Sequence, residues 1–212
     1  MNISSAKENI LKKIRKALSE STPIPFPQSE GTHSVFQPLK QDLEIEFAEQ
    51  FAKLQGKFVF CIDHREMVEQ LNALIIAQGW KGVFCREEKL RKTLKEQGFD
   101  GFSSTELGES EAAITTCETL VARTGTIVLS SANPSGRTVS VYAPVHLCIA
   151  YTDQLVYDIR DALLGLKDKY HQHLPSLMTF ATGPSRTADI EKTLVVGVHG
   201  PKQVYLFLVD RH

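Results

Sequence analysis

The chain has 212 residues, with 24 Lys and Arg against 25 Asp and Glu and a formal net charge of −1. That length holds one α/β domain with an appendage, not two full domains with separate cores, and the balanced charge gives no overall field to draw the chain to nucleic acid or an anionic membrane. No apolar run approaches the roughly 18 residues of a membrane span, and the N-terminus lacks the basic-then-apolar layout of a secretion signal, so a cytoplasmic protein is expected.

Residues 4 to 20 read as an amphipathic helix, with Ile3, Ile10, Leu11, Ile14, Ala17 and Leu18 near one face and Ser5 with Glu8 as a capping box. The prolines between Ser21 and Pro27 favour an extended tether. Residues 1–42 are therefore expected to form an arm, which either folds back on its own domain or docks on a partner subunit, a homo-oligomer being one such case. Residues 43–212 are expected to hold the α/β domain, entered after a polar loop from Gln28 to Leu43.

Leu43, Phe47, Phe51 and Leu54 have helical spacing, and Lys57 to Ile62 reads as a buried strand. Asp63 is placed to cap a helix running through Gln78, and Gly79 to stop it. Gly82 to Cys85 is a short strand and Glu87 to Gln97 a charged helix, whose interleaved acids and bases read as a solvated face. Strand, helix, strand, helix in that order predicts a parallel α/β layer. From Glu111 to Tyr157 the residues become β-branched and small, predicting short strands at Ala112 to Thr116, Leu120 to Ala122, Thr126 to Leu129, Thr138 to Tyr142 and Val145 to Tyr151. A helix from Asp158 to about Lys167, a loop with His171 and His173, a strand Leu177 to Ala181 and a closing strand Val204 to Val209 complete the prediction.

Four cysteines, Cys61, Cys85, Cys117 and Cys148, lie far apart in apolar runs with no C-x-x-C, and read as reduced core residues. With no thiolate cluster and no Gly-rich dinucleotide turn, the chain is expected to hold no cofactor and no metal of its own. His171 and His173 alternate but lack a third ligand.

Polar side chains concentrate between Thr182 and Pro201, where Gly183-Pro184 and Gly200-Pro201 bracket Ser185, Arg186, Thr187, Asp189, Glu191 and His199. Pro at the first position of a helical turn, Ser185 and Thr187 as caps, and the Arg186 fork together suit a small anion. The same residues also read as a surface ion pair between Arg186 and Asp189 beside a simple cap. The turn from Ser130 to Arg137 offers hydroxyls, Gly136 and Arg137, and reads as an anion cradle or as a hairpin connection. At Thr124-Gly125-Thr126, hydroxyls flank a glycine at the head of a buried strand. His146 and His199 each have the chemistry of an acid, a base or a ligand near neutral pH. No G-x-S-x-G and no Cys with a recognisable His partner occurs, so no nucleophilic triad is expected.

The run SRTADIE from Ser185 to Glu191, followed by GVHGP from Gly197 to Pro201, resembles the C-terminal signature of the LUD-domain family, in its lactate-utilisation protein C group. The segment TGTIVLSS from Thr124 to Ser131 and the Pro144-Val145-His146 step resemble its middle signature, and the likeness covers roughly residues 45 to 210. The acidic residue this signature carries before Thr-Gly-Thr is Arg123 here. The resemblance implies an α/β three-layer sandwich of the NagB/RpiA/CoA-transferase-like kind. It also implies a non-redox role in bacterial growth on L-lactate, beside iron–sulfur partner proteins that oxidise lactate to pyruvate. A small anionic ligand, carboxylate or phosphate, would lie on Ser185, Arg186, Thr187, Asp189 and Arg137, with Thr124, Gly125 and Thr126 as a pocket wall. The alternative is a free-standing isomerase, CoA-transferase-like or folate-ligase-like enzyme on a small phosphate or acyl-CoA, with Asp189, Glu191 and His199 as candidate acids and bases.

Overall fold

The computed structural model describes residues 5–19, 38–103, 106–171, 173–190 and 193–211. The helix α1 (Ser5–Ser19) belongs to one unit of the chain and everything from Leu39 onward to another, and each is described by itself. In α1, Ile10 and Ile14 are exposed. The proline-rich stretch Ser21 to Pro27 lies outside the described residues, as does most of the polar loop after it.

The second unit runs α2 (Leu43–Lys53), β1 (Lys57–Cys61), α3 (His64–Gln78), β2 (Val83–Phe84), α4 (Glu88–Glu96), β3 (Ala112–Thr116), β4 (Thr119–Val121) and β5 (Thr126–Ser130). It continues with α5 (Val139–Tyr142), β6 (Val145–Tyr151), β7 (Leu155–Val156), α6 (Ile159–Tyr170), β8 (Met178–Ala181), β9 (Arg186–Ile190), β10 (Thr193–Val196) and β11 (Gln203–Val209). Five strands form a wholly parallel sheet in the order β1-β11-β6-β3-β2. A second sheet has the order β7-β4-β5-β8, antiparallel except for the β4–β7 pair. Strands β9 and β10 form a separate antiparallel hairpin.

Period-2 alternation decides which core each side chain of the parallel sheet enters. Along β11, Tyr205, Phe207 and Val209 face the core built with Met67, Leu71, Leu90 and Leu94 of α3 and α4. Val204, Leu206 and Leu208 face the opposite core, built with Phe47 and Phe51 of α2 and Leu120, Ile127 and Leu129 of the second sheet. The outer face of that second sheet, Val121 and Val128, is covered by Ala162 and Leu166 of α6. This second unit is thus a mixed α/β fold in which α3 and α4, the parallel sheet, the second sheet and α6 stack in succession. Each fully buried Leu, Ile or Phe contributes on the order of 1.5–3 kcal/mol from removal from water.

The local signals work as chemistry requires. Asp63 accepts a hydrogen bond from Glu66 N at 2.8 Å at the start of α3, and Gly79, at φ 68°, ends it. Asp158 caps α6 in a reciprocal box with Asp161. Two expectations are corrected. Residues 139–142 are helical, not a strand, because Val139 and Ala143, four apart, are both buried against Phe84 and Ala113. The turn after β5 therefore leads into a helix and is no hairpin connection.

Candidate functional site

Arg186 to Ile190 is strand where a helical turn was expected, because Arg186 and Thr187 pair with Val196 and Val195 across the hairpin. Ser185 N donates to Pro201 O and Gly197 N donates to Ser185 O, each at 2.9 Å, so the two glycine-proline steps lie side by side. A Cβ on Gly200 would come within 2.9 Å of Ser185 Cβ, an approach that only glycine allows.

Arg186 is exposed, and its Nη2 donates to Leu54 O at 2.7 Å, so the guanidinium serves a carbonyl at the C-terminal end of α2. Thr187 is half-buried in β9. Asp189 lies in β9 with its side chain outside the described set, and Glu191 lies outside the described residues. Arg137 is exposed and donates to Ser176 Oγ at 2.6 Å. His171 ends α6 at φ 50°. Among the described residues no group of three His, Cys, Asp or Glu is arranged to hold a metal ion.

Thr124, Gly125 and Thr126 form the step from a 3-10 turn into β5. Gly125 adopts φ 59° and is covered by α2, since a Cβ there would lie 2.5 Å from Phe51 N. The hydroxyls run as a chain, Thr124 Oγ1 to Thr126 Oγ1 at 2.7 Å and Thr126 Oγ1 to Thr182 Oγ1 at 2.9 Å. Thr182 in turn lines a cavity of about 240 Å³ with Ser140, His146, Ser185, His199 and Val204. A neighbouring cavity of about 390 Å³ shares Val141, His199 and Gly200 and adds Tyr142, Pro144 and Lys202. His199 and Lys202 are exposed.

His146 is 1% exposed, and burial pushes its pKa down to about 4, so the ring is neutral at pH 7. Its Nε2 is 2.8 Å from Thr115 Oγ1. A neutral imidazole, the hydroxyls of Ser140, Thr182 and Ser185 and a nearby ammonium group on Lys202 are suited to orient a small hydroxylated carboxylate. Sequence reasoning missed Ser140, Thr182 and Lys202; the signal for Lys202 was its place directly after Gly200-Pro201.

Sequence reasoning also missed a polar cluster at the opposite end of the parallel sheet. Glu87, inside the charge run read as a solvated face, is 5% exposed. Its carboxylate accepts from Thr116 N at 2.9 Å, Thr116 Oγ1 at 2.6 Å and Ser135 Oγ at 2.6 Å. Asn133 Nδ2 donates to Thr116 Oγ1 at 2.7 Å, which ties the Ser130 to Gly136 turn to the end of β3. A second carboxylate, Glu118, accepts from Lys169 and Tyr170 at 2.7 Å and from Ser130 at 2.5 Å, holding α6 to the second sheet. Burial raises its pKa, but these donors outweigh burial and leave it low. Arg123 pairs with Asp158 at 2.5 Å, at the cap of α6.

The LUD domain family model matches residues 45–209. A lactate utilization protein C from Geobacillus sp. (strain WCH70) is 40% identical over 106 residues, 49% of this chain and 44% of the relative. A second, from Geobacillus thermodenitrificans, is 30% identical over 166 residues, 77% of this chain and 67% of the relative. The aligned segments thus span about half to two thirds of these relatives' lengths. The crystal structure of a DUF162 family protein from Deinococcus radiodurans superposes with a TM-score of 0.59 over 79% of this chain and 96% of that one, at 19% identity, which shows a common fold. Matched over most of its length, this chain belongs to the LUD domain family.

Proposed function

We propose that the protein is a non-redox component of an L-lactate utilisation system, binding a small anionic ligand of the lactate or pyruvate class and working with iron–sulfur partner proteins. The observation that carries the reading is the cavity of about 240 Å³ lined by the family signature at Ser185 and His199 and floored by neutral His146. Its hydroxyl and imidazole groups match the hydroxyl or keto oxygen of such an acid, and Lys202 in the adjoining cavity matches its carboxylate. Relatives named for lactate utilisation, at 30–40% identity, support the same substrate class. Ser185 and Thr182 are the ligand residues in this reading. The hydroxyls of Thr124 and Thr126 stand behind Thr182, and Arg186, Thr187 and Arg137 hold the surrounding elements.

The non-redox part rests on the donor set. All four cysteines are buried in apolar cores, Cys61 and Cys85 on the α3–α4 side and Cys117 and Cys148 on the other, so no thiolate cage for an iron–sulfur cluster forms from them. Electron transfer then falls to partner proteins. The proposal includes fold kinship with the NagB/RpiA/CoA-transferase-like group, supported by the five-stranded parallel sheet covered on both faces.

The test is complementation. A bacterium deleted for its own lactate utilization protein C should regain growth on L-lactate with this chain and not with its Lys202→Met, His199→Ala double variant. Affinity-tagged wild-type protein should retain iron–sulfur proteins from the same cells. No rescue by the wild type, or full rescue by the double variant, would contradict the reading.

A further inference from the structure

A third cavity, of about 600 Å³, opens at the carboxyl ends of β2, β3 and β6. The signature cavity lies at the other end of the same sheet, where His146 and Val204 stand near the starts of β6 and β11. The carboxyl ends of parallel strands are where open α/β sheets receive ligands, and the volume is in the range of small-molecule sites. Its lining is ordered by charge and depth. Glu87 is buried, while Arg86 and Lys89 are exposed, and Leu90, Pro134 and Tyr151 supply apolar surface.

Glu87 gives the site its chemistry. An ionised carboxylate offers about four acceptor positions, and Thr116 N, Thr116 Oγ1 and Ser135 Oγ occupy three. One acceptor position remains on a carboxylate that lines the cavity. A hydroxyl or amino donor would satisfy it; an anion would be repelled. Arg86 and Lys89 at the exposed rim reverse that preference, since an arginine fork and an ammonium group suit a phosphate. Exposed Glu88 joins Glu87 in working against an anion at this rim.

We propose that this cavity binds a nucleotide-class ligand: an organic phosphate with a planar or apolar body, its hydroxyl or amino donor on Glu87 and its phosphate at Arg86 and Lys89. The inference is independent of the lactate reading, because it uses none of the residues of the signature cavity.

Titration calorimetry of the full chain with AMP, adenosine and inorganic phosphate tests it. AMP should bind, adenosine should bind at least about tenfold more weakly, and phosphate alone should not compete at micromolar concentration. Arg86→Ala with Lys89→Ala, both at exposed positions, should weaken AMP by about tenfold or more and leave adenosine unchanged. Glu88→Gln should tighten AMP, an effect that a merely structural role for this helix start would not produce. Glu87→Gln should weaken AMP and adenosine alike; if that variant does not fold, the Arg86, Lys89 and Glu88 variants carry the test. No AMP binding at millimolar concentration, or equal AMP affinity in the wild type and the Arg86→Ala, Lys89→Ala variant, would overturn the proposal.

Discussion

Gly125 and Phe51 are in backbone contact: a Cβ on Gly125 would sit 2.5 Å from Phe51 N and 2.8 Å from Phe51 Cα. The family's Thr-Gly-Thr step is thereby the seat of helix α2, and Phe51 brings α2 into the core shared by the two sheets. Gly125→Ala meets both this clash and a φ of 59° that L side chains avoid. It should cost about 3 kcal/mol, the sum of overpacking and left-handed backbone strain. Urea unfolding should report it as a fall in midpoint at unchanged slope.

Arg123 and Asp158 form the other contact at this corner. Asp158 is held below the usual carboxylate range, first by the Arg160 amide and then by the Arg123 guanidinium, against the opposing effect of burial. Arg123→Ala should cost about 1 kcal/mol, because the pair is partly exposed. Asp158→Ala removes the α6 cap as well and should cost about 1 kcal/mol more. A double-mutant cycle on urea unfolding measures the coupling.

His146 makes stability pH-dependent. Its folded pKa of about 4 lies below the ordinary 6.5, so between those values the unfolded chain binds the extra proton. Stability is fully present above 6.5 and falls as pH drops toward 4, at most by about 1.4 kcal/mol per pH unit. The low-lying carboxylates Glu118 and Asp158 act further down, below their ordinary 4.5 and 3.8. His146→Gln should flatten the profile between pH 6.5 and 5, as thermal unfolding across that range will show.

Burial raises the thiols of Cys61 to about 11 and Cys85 to about 12, and raises Cys148 well above its ordinary value. These three should resist alkylation in native protein at pH 8 and react on unfolding. Mass spectrometry after a short iodoacetamide pulse distinguishes the two states.

Much of the fold was legible because its signals are local. Asp63 and Gly79 mark the ends of α3, and the nearly continuous apolar runs of β6 and β11 mark strands buried on both faces. Val139 to Tyr142 misled because β-branched residues favour strands, while the spacing of Val139 and Ala143, a helical one, was the weaker signal. Ser185 to Ile190 misled because Pro184 and two hydroxyls imitate a helix start, and the strand depends on Val195 and Val196 across a hairpin. The signature was found from its residues, but its cavity needs Ser140 and His146, brought in by other elements. Glu87 was unreadable for the same reason: its partners Thr116 and Ser135 are 29 and 48 residues away.

In the proposed function the signature cavity binds a small hydroxy or keto acid. Calorimetric titration of the purified chain with L-lactate and with pyruvate tests it most directly, repeated on Lys202→Met and His199→Ala. The wild type should bind at least one acid, with affinity weakened by about tenfold in Lys202→Met through loss of the charged partner. Binding of either acid with the same affinity in both variants, or no binding by the wild type at millimolar concentration, would contradict it.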